Sequence, residues 1–241
     1  HSRLNPDDRR RLPEDWTRRV EGWKERQHAL FLRIHQGLFL SLGVEGWNSF
    51  SRAIQLLVDE PDFAAEVLAA QAHFAARLAT NILQEVEVDA VIFSEPIADN
   101  HGSLISPRMY RELVLASYTP IFEVVERFRV PVVIWRSYAN PRALIPEVAC
   151  SRFTALWACE TPPGTMDFAD LRSELGPALG LIGGIDSDVL RQDRESIRRA
   201  VQDALALAKQ GRFIPLADGR VREDVPYENY AYYRNTIQEL F

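Results

Sequence analysis

At 241 residues the chain has room for one large α/β domain or two small ones. Its 46% hydrophobic and 26% charged residues are the balance of an ordinary globular protein and exclude a disordered or fibrous one. Lys and Arg number 28 against 34 Asp and Glu, a net charge of −6, which argues against a non-specific nucleic-acid binder, since that needs a cationic face.

Taken in chain order, His1-Ser2 reads as the scar of an expression tag, and residues 5–28 read as a helix. The first apolar, β-leaning run is 29–35. It is followed by a long helix opened by Asp59 and Glu60 before Pro61, with Phe63, Val67, Phe74, Leu78 and Ile82 on one face. A second run, 89–93, leads to Ser106-Pro107, a hydroxyl N-cap followed by Pro at the first helical position. Pro120 is expected to kink or interrupt that helix. Further runs fall at 132–135, 153–158, 180–182 and 213–216. Between the last two, Ile197, Ala200, Val201, Ala204, Leu205 and Ala208 form an apolar stripe stopped by Gly211. A final helix runs from about Tyr227.

None of the six runs alternates cleanly between apolar and polar residues, so they read as strands buried on both faces, the mark of a parallel sheet. Repeated strand–helix order then leaves a barrel or an open doubly wound sheet. No GxGxxG opens the first unit and no P-loop is present, which favours the barrel, although six strands do not close the usual eight. With no repeat or flexible linker, residues 1–241 read as a single domain. No apolar run approaches the roughly 18 residues needed to cross a bilayer. The polar start does not read as a signal peptide, and Cys150 and Cys159 read as reduced thiols, so the expected compartment is the cytoplasm.

In a parallel barrel the working residues stand where strands run into the following loops. Those positions hold Arg33 and His35, then Ser94 and Glu95 with Asp99, Asn100 and His101, then Arg136, Ser137, Tyr138 and Asn140. Next come Cys159 and Glu160, then Gly183, Gly184 and Asp186, and finally Asp218 and Arg220. Glu95, aimed by Pro96, and Asp218 are the candidate proton-transfer groups, with His101 assisting. Arg136 and Arg220 are candidate carboxylate clamps, because a guanidinium offers a bidentate fork; an ion pair with Asp218 or Glu160 is the competing reading. Tyr138, Asn140, Glu160 and Asp186 complete the candidate substrate-binding set, although Asp186 could instead cap the next helix. No metal site is expected, because the five histidines never fall at HxH or HxxxH spacing. No GxSxG elbow points to a serine hydrolase.

Several ordered segments resemble the uroporphyrinogen decarboxylase superfamily, from about residue 29 to 240. They are GSLISPRMYRELVLASYTPIFEVV (102–125), GLIGGID (180–186) and FIPLADGRVREDVPYENYAYYR (213–234), with EGWNSFSRAIQLLVDEPDFAAEVL and GTMDFADLRSEL alongside. The resemblance implies a TIM-type (β/α)8 barrel lacking its first two strand–helix units, with about six parallel strands. The chain is therefore expected to be a piece of a longer protein, its strands forming an open arc or its gap filled by a second copy; the competing account is a natural short protein that closes a smaller barrel by itself. The superfamily includes cofactor-free decarboxylases, which bind substrate carboxylates with arginines, and methyltransferases working between a corrinoid and a zinc-activated thiol. The methyltransferases' His-x-Cys corresponds to Arg136-Ser137-Tyr138 and their last cysteine to Asp218, so all three zinc ligands are replaced. The decarboxylase pattern is incomplete too, since its histidine near the last strand corresponds to Asp218.

The expected function is therefore a zinc-independent enzyme of this superfamily acting on a carboxylated or methylated small molecule, by tetrapyrrole decarboxylation or corrinoid-linked methyl transfer. The contrasting reading is a non-catalytic or degenerate barrel that binds a corrinoid, a tetrapyrrole or a partner subunit. Expected partners are a small anionic substrate, a corrinoid protein if the methyl branch holds, and a second copy in a homodimer. No cofactor other than a corrinoid is expected, and neither nucleic acid nor a membrane.

Overall fold

A computed structural model describes residues 5–161 and 164–240, so His1-Ser2 lies outside the described residues. Six strands form one sheet in chain order, every neighbouring pair parallel. They are β1 (Phe31–His35), β2 (Ala90–Glu95), β3 (Val132–Tyr138), β4 (Ala155–Cys159), β5 (Gly180–Ile185) and β6 (Phe213–Ala217). Each expected run is present, and β2, β3 and β5 reach two or three residues further toward their exit loops. Strand–helix–strand crossovers produce this sequential order. Among the described residues β1 and β6 each have a neighbour on one side only, which makes the sheet an open arc of the barrel type.

The helices are α1 (Trp16–Lys24), α2 (Leu38–Ser41), α3 (Trp47–Asp59), α4 (Pro61–Leu83), α5 (Pro107–Met109), α6 (Thr119–Arg127), α7 (Ile145–Ala149), α8 (Phe168–Leu175), α9 (Arg194–Ala208) and α10 (Tyr227–Leu240). α5 starts where expected: Ser106 Oγ accepts the Met109 N–H at 3.1 Å and Pro107 takes the first helical position. It continues as a π-helical stretch (Tyr110–Leu115) and breaks before α6, whose first turn contains Pro120. There the missing proline N–H has no carbonyl to satisfy, so the interruption costs little.

One expectation is corrected. Residues 5–28 are not one helix but a 3-10 turn (Arg9–Arg11) followed by α1, because Pro13 cannot donate to a continuous ladder. The segment straps across α4 instead: Asn81 Nδ2 donates to the Pro6 carbonyl at 3.2 Å, and Trp16 Nε1 donates to Glu85 at 3.1 Å. The shared face of Phe63, Val67, Phe74, Leu78 and Ile82 on α4 is not its most buried one. Ala64, Leu68, Ala72, Ala76, Ala79 and Leu83 face inward, while Phe63 is 51% exposed. Small residues let the helix approach its neighbours closely, and Phe74, on the flank, lies under the Arg11 guanidinium of the strap at 4.8 Å.

The sheet separates two apolar clusters. The larger fills the space between helices and sheet and includes Val91, Phe93, Val133 and Trp135. The smaller, on the inner face, comprises Ala90, Ile92, Ile134, Ala155 and Ile182. Successive strand residues alternate between these faces, and that alternation decides what each rim residue can reach.

Candidate active site

The inner face is apolar at its base and polar toward the carboxyl ends of the strands. Ladder pairing places Ser94, Arg136, Trp157 and Ile182 in one row above Ile92, Ile134 and Ala155, and pairs Tyr138 with Cys159 in the next. Arg136 lies 4.6 Å from the Trp157 ring centroid and 5.1 Å from that of Tyr138. Its Nε is buried without a hydrogen-bond partner, and no carboxylate pairs with Arg136 among the described residues. A guanidinium held between two aromatic rings keeps its charge while offering its free N–H groups to an incoming anion. Beside it, burial pushes the Cys159 thiol up to about 11 against the opposing pull of Arg136, so this sulfur stays protonated near neutrality.

Asp218 follows β6 and is 8% exposed. Its carboxylate accepts the backbone N–H of Glu160 and, at 2.8 Å and 3.1 Å, the N–H and hydroxyl of Thr161. Burial nevertheless raises its pKa, helped by the nearby charge of Asp186 and opposed by the Thr161 and Glu160 hydrogen bonds. A cavity of about 290 Å³ opens here, with Asp218, Asp186, Thr161, Gly184 and Phe168 in its wall. Glu160 folds over Gly219, where a Cβ would stand 2.5 Å from the Glu160 Cγ; Gly219 takes φ +71°, and Glu160 itself takes +51°.

The structure brings together part of the expected set. Arg136 and Tyr138 share the inner face, while Asp186, Asp218 and Glu160 meet at the neighbouring rim. Asp186 also caps the turn after β5, accepting the Asp188 N–H at 2.8 Å, so both of its readings describe the same side chain. Asn140 is half-buried and turned to its own loop, its Oδ1 accepting the Arg142 N–H at 3.3 Å. His101 is exposed on a turn held by Asp99, away from the residues that line the cavity. Arg220 is exposed and makes no ion pair with Asp218 or Glu160 among the described residues.

Glu95 stands on the other side of the sheet. It pairs with Ser137 next to Phe93 and Trp135, within the helix-facing core, and is 0% exposed. The expected convergence of Glu95 with Arg136 is therefore corrected: the residue of β2 that shares Arg136's face is Ser94. Trp157 and Thr161 escaped the sequence reading. Trp157 became visible only through its ladder pairing with Arg136, whereas Thr161, two residues beyond β4, fits the same rim rule that selected Glu160.

The family model described as uroporphyrinogen decarboxylase (URO-D) matches residues 41–240. A uroporphyrinogen decarboxylase of Gloeobacter violaceus is 24% identical over 203 residues, covering 82% of this chain and 55% of its own length. The chain thus spans about half the length of that relative.

Proposed function

The chain belongs to the uroporphyrinogen decarboxylase family, and on that premise we propose that it is part of a zinc-independent decarboxylase of carboxylated small molecules, with tetrapyrroles the leading class. The observation that carries this reading is Arg136, a guanidinium on the inner face without a carboxylate of its own among the described residues. A cation holding the departing carboxylate would oppose its loss, because it stabilises the charge that must disappear. Arg136 is therefore assigned to a carboxylate that stays, with the leaving one set against the apolar surface of Trp157 and Leu216. Loss of CO₂ breaks a carbon–carbon bond and leaves the electron pair on the substrate, which must delocalise it, as an electron-poor or protonated ring does. Asp218, whose pKa is raised by burial, then donates the proton that takes the place of CO₂. Methyl transfer is the weaker reading, since Arg136, Tyr138 and Asp218 at the zinc-ligand positions leave nothing to activate the thiol that would accept the methyl group.

The test measures CO₂ release from carboxylated porphyrinogens, with and without a zinc chelator, alongside binding of the same compounds. Arg136→Gln should weaken binding roughly tenfold or more, the usual effect of losing a charged hydrogen bond, while Asp218→Asn should bind normally and turn over slowly. Full activity in either variant, or activity abolished by the chelator, overturns the assignment.

A further inference from the structure

Glu95 is a wholly buried acid that the reaction does not use. It accepts the backbone N–H of Leu38, at the start of α2, at 2.7 Å, and the hydroxyl of Tyr118. Gly37, at φ +86°, lies so close that a Cβ there would stand 2.5 Å from the Glu95 Oε1 and 2.7 Å from the Ser94 carbonyl oxygen. The carboxyl is thus pressed against the turn by which the chain leaves β1. That turn sits at the carboxyl end of the sheet, the same end as Arg136 and Asp218.

Among the described residues no cation faces Glu95. The ionisable groups around it are His35 of β1, Tyr110 of the π-helical stretch and Tyr118 before α6. β3 contributes Ser137, whose hydroxyl donates to the Glu95 carbonyl oxygen at 2.8 Å, and Trp135. α2 has no ionisable residue, and the buried faces of α4 and α6 are entirely apolar. His35 accepts the Gly37 N–H on Nδ1 at 2.9 Å, and burial lowers it to about 4, so it is uncharged near neutrality.

We propose that Glu95 is a latch worked by one proton: protonated, it clasps the Gly37–Leu38 turn against β2 and Tyr118, and on ionising it releases that turn and α2 at the mouth of the sheet. An ionised carboxylate in a dry pocket without a cation gains free energy by reaching water. The turn is the nearest route out, for Gln36 and Leu40 on either side of it are already exposed. The proton passes to solvent. Burial pushes Glu95 up to about 7, opposed by the bonds from Tyr118 and Leu38, which puts the release within the neutral range. The closed form holds the proton more tightly than an open, hydrated form with the usual value of 4.5, so raising the pH from 4.5 to 7 favours opening. The release frees the turn and leaves His35 against Phe93 and Tyr118, so the opening constant follows Glu95 alone: it should rise by up to tenfold per pH unit, then level off.

Amide exchange of the intact chain across pH 5 to 8, divided by intrinsic rates, reads the opening constant directly. The amides of Leu38, Ser41 and Leu42, which bond to Glu95, Gly37 and Leu38, should open at least tenfold more often at the upper end, while β4 amides do not change. Glu95→Gln should remove the dependence. A flat opening constant for these amides in the native chain overturns the latch whether or not the variant folds, and so does a dependence that survives in Glu95→Gln.

Discussion

Glu95 and His35 show how two buried residues act on stability in opposite senses. Burial raises the acid from 4.5 to about 7 and lowers the base from 6.5 to about 4. For Glu95 the folded state binds the extra proton, so its contribution is full below pH 4.5 and lost as pH rises to 7, about 3 kcal/mol in all. For His35 the unfolded state binds the proton, so its contribution of about 3 kcal/mol is full above pH 6.5 and lost as pH falls to 4. Within the overlap the two slopes cancel. Glu95→Gln should remove one and leave the other: relative to the native chain, the variant gains about 3 kcal/mol between pH 4.5 and 7. Urea unfolding of both proteins at matched pH checks this, and a pH-independent difference would show that Glu95 is not desolvated as the structure has it.

In α4 shape outranks hydrophobicity. Its inward row is mostly alanine, and Ala72 is 0% exposed, so a larger side chain there must displace its neighbours. Ala72→Leu adds apolar surface yet should cost about 1–3 kcal/mol through overpacking. Phe63→Ser removes a large apolar group from a position 51% exposed and should change stability by less than about 0.5 kcal/mol. Thermal unfolding ranks the two, and the reverse order would mean that the helix is rotated about its axis.

Across the whole molecule the consequence lies at the edges of the sheet. Among the described residues β1 and β6 each present an unpaired row of backbone groups, with Phe31 42% and Ile214 57% exposed beside them. Such edges recruit further strands unless charge or a covering element prevents it. The chain by itself should therefore associate as its concentration rises, and Ile214→Lys should shift it toward monomer. Sedimentation across a concentration series tests this, and a native chain that stays monomeric throughout would show that the edges are protected. The strap of residues 5–15 over α4 and the Arg172 guanidinium act elsewhere: Arg172 binds the carbonyls of Gly176, Leu179, Gly211 and Arg212 and ties α8 to the starts of β5 and β6.

By itself the sequence determined the six strands, their parallel order and the family, because these rest on local apolar runs, turn chemistry and short ordered motifs. Ser106-Pro107 and Pro120 marked their boundaries for the same reason, each acting through its own backbone. What the tertiary structure decided was the side of the sheet on which each residue stands. Both faces of β2 are apolar, so nothing in its sequence distinguishes the phase that sends Ser94 inward from the one that would send Glu95. Trp157 meets Arg136 across 21 positions and Tyr118 meets Glu95 across 23, and such contacts exist only once strand register and helix packing bring distant segments together.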